Sequence, residues 1–293
     1  MTPLFDATHP PLNAEQFRLL RDLVNQQAGL YFDETSMFLF ERRLGDRLAA
    51  LQLPDFDEYY HLLRFDARGA TELEEAIELL TTKETYFFRQ DYQLRAFSDE
   101  LLPRLAESNA ESRRLSIWSA GCATGEEAYT LAIVVHESGL FKGWDVRIVG
   151  SDISRASVAK ARHGAYRSNS FRVTTPEMLG RYFIERADGF HVADFVKEKC
   201  HFGQLNLLDG TRAMGVGRVD VVMCRNVIIY FDTTSRTKVI DHLYERLVPG
   251  GYLLLGHAES LINLSTAFEL VHLKEDLVYR RPTTGGRTGA KGR

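Results

Sequence analysis

Hydrophobic residues follow a helical period through the first third of the chain. In the segment 36–51 the apolar positions recur every three or four residues: they are Met37, Phe40, Leu44, Leu48 and Leu51. The same spacing is found at 13–29, 57–65 and 71–82. Asn13 is a favourable N-cap and Gly29 a favourable C-cap for the first of these helices. Residues 1–80 are therefore predicted to form a small all-helical domain.

From about residue 115 the pattern changes to strands that alternate with helices. The strand-like runs are 115–120, 146–153, 200–208, 219–231 and 251–256, with helical patterns at 126–137, 154–164 and 235–247. This alternation predicts an α/β domain over 98–281, with a mostly parallel sheet covered by helices on both faces. Two closing strands are expected within 268–281.

Two further segments connect or extend these domains. Residues 81–97 combine aromatic and polar side chains and are expected to link the helical domain to the α/β domain. The tail, residues 282–293, is basic and rich in glycine, which is typical of a disordered segment.

Composition narrows the class of protein. The chain has 293 residues, 44% of them hydrophobic and 26% charged, with a net charge of −4. These values are typical of a globular protein and argue against a generic nucleic-acid binder. The charge is uneven: residues 1–80 carry seven basic and 15 acidic side chains, whereas residues 81–293 carry 29 and 25.

The cysteines and the N-terminus indicate the compartment. Cys122, Cys200 and Cys224 lie far apart and have no metal-ligand spacing. The first residues carry neither a basic segment nor an apolar segment of a signal peptide, and no apolar run is long enough to predict a membrane span. A cytoplasmic protein without membrane insertion is expected.

The segment 116–129 carries the first chemical signal. An apolar strand runs into a turn with Gly121 and Gly125, and the acidic pair Glu126 and Glu127 then opens a helix. Glycine lets the backbone approach a ligand closely, and a helix N-terminus normally attracts phosphate. Two carboxylates at that position would repel a pyrophosphate and favour a cation. S-adenosylmethionine, which carries an ammonium and a sulfonium, fits this charge better than NAD.

Polar residues follow three more strand-like runs, and each has two interpretations. Asp152 could accept hydrogen bonds from ribose hydroxyls or could cap the next helix. Asn206 could bind an adenine edge or be an ordinary turn residue. Asn226 interrupts an apolar strand pattern, and because a buried unsatisfied amide is costly, a functional role is favoured there.

Six motifs in this order resemble the CheR family of chemoreceptor glutamate methyltransferases. They are LTTKETYFFR (80–89), SAGCATGEEAYTLA (119–132), GSDIS (150–154), NLLD (206–209), CRNVIIYFD (224–232) and PGGYLLLGHAES (249–260). The resemblance extends from about residue 13 to 281. It implies an S-adenosyl-L-methionine-dependent transferase with a helical N-terminal domain, a Rossmann-like domain and a small antiparallel β insertion near 183–204.

The resemblance also implies which residues contact the cofactor. Carried onto this chain, they are Thr85, Arg89, Glu126, Asp152, Asn206, Leu207, Asn226 and Val227, beside the turn glycines Gly121 and Gly125. One position departs from the family: Lys83 stands where asparagine is common, so it is left out of the predicted site.

The implied reaction is methyl transfer to receptor glutamates, which gives glutamyl methyl esters and S-adenosyl-L-homocysteine. A glutamate is already ionised at neutral pH, so neither a strong base nor a metal is needed. Arg89 is expected to orient the carboxylate and Tyr230 to donate a hydrogen bond near the methyl group. Their alternatives are a surface arginine and a core aromatic residue.

The implied partners are the cytoplasmic helices of methyl-accepting chemoreceptors. Arg42, Arg43 and Arg47 form the predicted recognition face on the second helix, and the alternative is a solvated helix surface. The β insertion is short, so binding of a receptor tether peptide is not expected. A monomer that does not bind nucleic acid is expected.

Two other functions remain open on the sequence alone. One is a non-catalytic cofactor-binding regulatory or scaffold protein with the same fold. The other is a carboxyl methyltransferase that acts on a different protein.

Overall fold

The computed structural model describes residues 10–283 and divides into two compact units. The helical unit comprises residues 10–82 together with Tyr230–Ser235, and the α/β unit comprises Lys83–Ile229 together with residues 236–283. The predicted 282–293 tail lies outside the described residues except for its first two positions.

Four α-helices form most of the helical unit, as the sequence pattern predicted. They are α1 (Ala14–Ala28), α2 (Met37–Leu51), α3 (Phe56–Phe65) and α4 (Gly69–Leu80), with a short 3₁₀ turn at Glu34–Ser36. Asn13 and Gln16 form a reciprocal capping box at the start of α1, and Gly29 ends the helix in a left-handed conformation with φ +71°.

The core of the helical unit is the apolar stripe of α2. Phe40, Leu44 and Leu48 are fully buried, and the Phe40 ring meets the edges of Phe17 and Phe32 at centroid distances of 5.0 and 4.9 Å. Such edge-to-face contacts are a preferred aromatic geometry. The helical spacing in the sequence therefore identified the buried face of α2 correctly.

The segment Tyr230–Ser235 also belongs to the helical unit. Leu30 and Phe231 form an antiparallel bridge, and the amide of Tyr31 donates to the carbonyl of Tyr230 at 2.8 Å. The side chain of Asn25 donates to Asp232 at 2.6 Å. The end of the CRNVIIYFD motif is therefore bound to α1 and to the loop that follows it.

Within residues 10–283 the chain forms ten strands. They are β1 (Arg114–Ala120), β2 (Asp145–Asp152), β3 (Ala165–Tyr166), β4 (Phe183–Arg186), β5 (Gly189–Val192), β6 (Cys200–Gln204), β7 (Val219–Cys224), β8 (Leu247–Leu255), β9 (Glu269–His272) and β10 (Leu277–Arg280). Seven of them build one sheet in the order β6-β2-β1-β7-β8-β10-β9. The first five in that order are parallel, and β10 and β9 close one edge in antiparallel pairing, as predicted.

Helices accompany this sheet along the chain. They are α5 (Asp91–Ala96), α6 (Leu102–Ser108), α7 (Glu126–Glu137), α8 (Arg155–His163), α9 (Pro176–Tyr182), α10 (Asp194–Lys197), α11 (Gly210–Ala213) and α12 (Thr233–Arg246), with a π-helical turn at Phe97–Leu101 and 3₁₀ turns at Ser168–Phe171, Met214–Val216 and Ile228–Tyr230. None of the helices in the described part of the chain has the length and apolar character needed to cross a membrane.

The small antiparallel insertion is present, but its strands differ from the expected range of 183–204. It consists of β3, β5 and β4 in that order, so it reaches back to Ala165. The end of the expected range, β6, instead pairs with β2 in the large sheet. The hairpin β4–β5 ends at Val192, and α10 then leads the chain back to the sheet edge.

The register of the large sheet brings its carboxyl strand ends to one edge. Ala120 pairs with Ser151, Asp152 with Gln204, and Cys224 with Leu255. The chain runs from β1 to β2 and β6 on one side, and β7 and β8 lie on the other. In parallel α/β sheets ligands bind at such a reversal of strand order, beyond the carboxyl ends.

Candidate active site

Five segments of the α/β unit meet the carboxyl edge of the sheet or contact the loops there. They are the linker 84–90, the turn 119–127 after β1, the end of β2 at Asp152, the segment 225–229 after β7 and the segment 256–259 after β8. The geometry of these segments defines the candidate site.

Strained backbone is concentrated in these segments. Among residues 10–283, seven residues other than glycine have positive φ, and four of them lie here: Phe88 (58°), Gln90 (59°), Ala123 (46°) and Asn226 (58°). A left-handed conformation is unfavourable for residues with a Cβ and persists only where surrounding contacts enforce it. Such strain is typical of functional sites.

The two glycines of the turn are required by close packing within the protein. Gly121 has φ +78°, and a Cβ there would lie 2.5 Å from a methyl carbon of Val227. Gly125 has φ +96° and would place a Cβ 2.7 Å from that of Ala161 in α8. The turn after β1 therefore fits tightly against the loop after β7 on one side and α8 on the other.

The acidic pair at the start of α7 divides into an inner and an outer carboxylate. Glu126 is only 1% exposed, and both of its oxygens accept hydroxyl hydrogen bonds, from Thr124 at 2.6 Å and Ser170 at 2.9 Å. Glu127 is partly exposed and accepts a hydrogen bond at 2.7 Å from Ser119, the next-to-last residue of β1. Protein donors therefore enclose Glu126, whereas part of the Glu127 side chain is exposed, and the predicted cofactor role of Glu126 stays a prediction.

Glu127 carries its charge at an energetic cost. Burial raises the pKa of Glu127, while the charge of Arg225, the Ser119 hydrogen bond and the charge of Arg89 act in the opposite direction. A ligand cation beside this carboxylate would further stabilise its ionised form.

Arg225 connects three of the segments. Its side chain is 3% exposed, and its guanidinium lies 3.6 Å from Glu127. It also donates to the carbonyl of Arg89 at 2.5 Å and to the side chain of Gln90 at 3.0 Å. A buried arginine is tolerated only with such partners, so the network fixes the linker against the start of α7.

The linker is also held by an aromatic cluster. The ring of Phe87 is fully buried and lies 4.9, 5.1 and 4.8 Å from the rings of Tyr166, Phe171 and Phe183. Its amide donates to the carbonyl of Ser170 at 2.9 Å. These contacts fix the backbone between Thr85 and Arg89, the two predicted cofactor contacts of the linker.

Both of those linker side chains are half-buried. The guanidinium of Arg89 donates to the carbonyl of Glu84 at 3.2 Å and lies 5.7 Å from the ring centroid of Tyr86. Arg89 thus has contacts within its own loop while its charge acts on Glu127.

Asp152 and Asn206 act locally on the backbone. Asp152 accepts from the amides of Ala123 at 2.8 Å and Ser154 at 2.9 Å, whereas the side chain that caps α8 is that of Ser154. Asn206 accepts from the amide of Leu208 at 3.0 Å. Both side chains thus fix the backbone just beyond a strand end. The next residue, Leu207, is buried, and its carbonyl oxygen lies 2.9 Å from Nδ1 of His242.

The structure corrects the expected strand around Asn226. The strand β7 ends at Cys224, and Asn226 lies in a left-handed conformation before the 3₁₀ turn at 228–230. Its side-chain oxygen Oδ1 is buried and finds no hydrogen-bond partner within residues 10–283. An orphaned buried acceptor at a sheet's carboxyl edge is a position for a ligand donor.

Glu259 is a site residue that the sequence analysis did not identify. Its carboxylate accepts four backbone amides, from Gly256 (2.6 Å), Asn226 (2.7 Å), Val227 (2.9 Å) and Ile229 (3.2 Å). It lies in the PGGYLLLGHAES motif, and the presence of an acid there was the signal available.

Four other predicted residues belong to the helical unit. Tyr230 is exposed at the end of its 3₁₀ turn. On α2, Arg47 makes a two-pronged ion pair with the buried Glu72 at 2.7 and 2.6 Å, and Arg43 donates to the carbonyls of Leu79 and Thr81. Arg42 is exposed and lies over the ring of Phe38, which is itself 68% exposed.

The residues at the strand ends fit the groups of S-adenosylmethionine. Glu127 and the orphaned Oδ1 of Asn226 are acceptors suited to an ammonium, and Asp152 is an acceptor suited to hydroxyls. Two carboxylates at the start of α7 disfavour a pyrophosphate, as the sequence indicated. These acceptors would hold the cofactor through its amino-acid and ribose parts.

The two acids of α7 are expected to respond differently to amide substitution. Glu127→Gln removes a charge that faces the ligand and should raise the Kd of S-adenosylhomocysteine at least about tenfold, as for loss of a charge-assisted hydrogen bond. Glu126→Gln should change that Kd less than about threefold and lower the free energy of unfolding by about 1 kcal/mol. Calorimetric titration and urea unfolding measure the two effects.

In the unfolding experiment, tryptophan fluorescence reports on the α/β unit, which contains both acids. The only tryptophans of the chain, Trp118 and Trp144, lie in that unit. A larger loss of affinity in Glu126→Gln than in Glu127→Gln would contradict the assignment of the outer carboxylate.

Comparison with known proteins shows the family of the chain. Residues 83–277 match the family model "CheR methyltransferase, SAM binding domain", and residues 15–81 match "CheR methyltransferase, all-alpha domain". Chemotaxis protein methyltransferase 2 of Vibrio cholerae serotype O1 is 33% identical over 92% of this chain and 93% of its own. Chemotaxis protein methyltransferase 1 of Pseudomonas aeruginosa is 31% identical over 90% and 97%.

Among solved structures, a magnesium protoporphyrin IX methyltransferase from Synechocystis with bound SAM is a distant likeness. It is 17% identical, has a TM-score of 0.37, and the match covers 75% of this chain and 93% of that one. The two family models, matched in order across both units, carry the assignment. The chain belongs to the CheR methyltransferase family, and its cofactor is S-adenosylmethionine.

Proposed function

We propose that this protein transfers the methyl group of S-adenosylmethionine to glutamate carboxylates of chemoreceptors, for sensory adaptation in bacterial chemotaxis. The observation that carries the proposal is the set of acceptors at the strand ends, Glu127 and the orphaned Asn226 oxygen, in a chain that matches both CheR domains. The names of the relatives support the chemoreceptor system. No observation favours a scaffold or a different substrate protein.

The reaction needs little from the protein beyond alignment. S-adenosylmethionine supplies a methyl group activated by a positively charged sulfur. A receptor glutamate is ionised at neutral pH, so its oxygen attacks the methyl carbon in line as the carbon–sulfur bond breaks. The products are a glutamyl methyl ester and S-adenosylhomocysteine, and no proton moves. Catalysis then depends on orientation and on removal of water from the carboxylate.

The proposed roles divide between the linker and the strand ends. Glu127, rather than Glu126, and Asn226 hold the cofactor ammonium, and Asp152 holds the ribose. Asn206 and Leu207 line the adenine, and Thr85 and Val227 complete the pocket beside Gly121 and Gly125. Arg89 orients the incoming carboxylate, and Tyr230 donates a hydrogen bond near the methyl group.

The proposed receptor-binding surface is the exposed part of α2. Arg47 and Arg43 have partners inside the helical unit, so their side chains serve its stability. Arg42 and Phe38 are exposed and suit an acidic amphipathic helix, through charge and apolar contact respectively. We place the protein in the cytoplasm as a monomer that meets the receptor's cytoplasmic helices.

Arg89→Ala is expected to abolish most of the transfer. Loss of the group that orients the carboxylate should lower kcat/KM about 100-fold, a change of about 2.7 kcal/mol. The measurement uses methyl-labelled S-adenosylmethionine and membranes bearing the cognate receptors, and counts the methanol that base releases from the receptor. Arg114→Ala, an exposed arginine at the amino end of β1, is the matched control.

Label that resists base, or full activity of Arg89→Ala, would count against carboxyl methylation with this geometry. Cofactor binding without any transfer to receptors would instead support the scaffold function or another substrate.

The α2 arginines should separate into a binding residue and a stability residue. Arg42→Ala should raise the KM for receptor several-fold with little change in melting temperature. Arg47→Ala leaves the buried Glu72 unpaired and should lower the stability of the helical unit by about 2–3 kcal/mol. Receptor methylation at varied receptor concentration and thermal unfolding measure these effects. An unchanged KM in Arg42→Ala would remove α2 from the recognition surface.

A further inference from the structure

Glu259 joins the ends of two neighbouring strands through a single carboxylate. Oxygen Oε2 accepts from the amides of Gly256 and Asn226, and Oε1 accepts from those of Val227 and Ile229. The first amide follows β8 and the other three follow β7. All four distances lie between 2.6 and 3.2 Å.

These amides need a partner because the chain has left the sheet. β7 ends at Cys224, so the amides of the next residues have no ladder carbonyl to bind. Bonds from backbone amides to a carboxylate are charge-assisted and short. Glu259 therefore satisfies the backbone of the loop that carries Asn226, and it does so from a loop 33 residues later in the chain.

The same carboxylate enforces the unusual conformation of Asn226. This residue has φ +58°, which is unfavourable for a side chain with a Cβ. Amides on both sides of its α-carbon, its own and that of Val227, bind Glu259. These two bonds fix the dihedral angles of Asn226 and so set the direction of its orphaned Oδ1.

Close packing around Gly256 also holds the Glu259 carboxylate in place. A Cβ on Gly256 would lie 2.7 Å from the amide nitrogen of Asn226 and 2.7 Å from Oε2 of Glu259. Val227, the next residue, fills the space beside Gly121 in the turn after β1. The carboxylate thus sits at the centre of a contact that leaves no room for a larger residue at position 256.

We propose that Glu259 is a positioning residue for the cofactor site. Its carboxylate sets the backbone of Asn226 and Val227, and through them the acceptor for the cofactor ammonium and the fit of the glycine turn. Glu259 acts through these residues and does not itself touch the cofactor. The inference rests on the proposed cofactor contacts of Asn226 and Val227.

The test compares Glu259→Gln with a variant of a second carboxylate, which binds at the opposite edge of the sheet. Asp220, near the start of β7, accepts from the amide of Ser116 at 2.7 Å and the side chain of Asn109 at 2.9 Å. Asp220→Asn therefore removes a comparable charge-assisted bond at the opposite edge of the sheet. Both variants should lose stability, but only Glu259→Gln should disturb the site.

The expected result is a rise of at least about tenfold in the Kd of S-adenosylhomocysteine for Glu259→Gln, measured by calorimetry on the full chain, against less than about twofold for Asp220→Asn. Hydrogen exchange of the Gly256, Asn226 and Val227 amides should accelerate in Glu259→Gln alone. In turnover, the KM for S-adenosylmethionine should rise while the KM for receptor stays unchanged.

A Kd for Glu259→Gln within twofold of the wild-type value, or an equal rise in both variants, would overturn the inference. If Glu259→Gln does not fold, Gly256→Ala keeps the carboxylate, presses a Cβ against the Asn226 amide, and should raise the Kd in the same way. Failure of the wild-type protein to bind S-adenosylhomocysteine would overturn the proposed function itself, and is thereby distinguished from failure of the Glu259 inference.

Discussion

The candidate site depends on the contacts that the buried guanidinium of Arg225 makes. It lies between the linker, through the Arg89 carbonyl and the Gln90 side chain, and the start of α7, through Glu127. Neither charge would be stable alone at such burial, because desolvation outweighs what a lone charge recovers. Together they fix a linker whose backbone is strained at Phe88 and Gln90. Polar contacts between the loops therefore assemble the site. The sheet fixes only where the strand-end loops begin.

The sheet and the loops contribute to the candidate site in different ways. The apolar sheet aligns the carboxyl ends of its strands, and two acids hold the loops beyond it: Glu127 pairs with Arg225, and Glu259 binds backbone amides. The strained conformations persist because the surrounding contacts enforce them. Fixed side chains suit the proposed reaction, which needs alignment more than acid–base chemistry.

Local features of the fold and site were predictable from the sequence, whereas distant pairings were not. The capping box at Asn13, the buried face of α2 and the strand–turn–helix at Gly121 depend on neighbouring residues and are confirmed. The β-branched run after Cys224 resembles a continued strand, but the partner that ends it, Glu259, lies far along the chain. Likewise, periodicity places Arg47 on a helix face without indicating that Glu72 neutralises it. The different burial of Glu126 and Glu127 depends on the orientation of α7, which no local pattern provides.

A double-mutant cycle on Arg225 and Glu127 tests the central claim most directly. The cycle uses Arg225→Met, Glu127→Gln and the double variant, each unfolded in urea. Unfolding is followed by the fluorescence of Trp118 and Trp144, which lie in the α/β unit. The account predicts a coupling free energy of at least about 1 kcal/mol, because Arg225→Met alone removes the buried cation that pairs with Glu127. Losses that simply add, within about 0.5 kcal/mol, would contradict it.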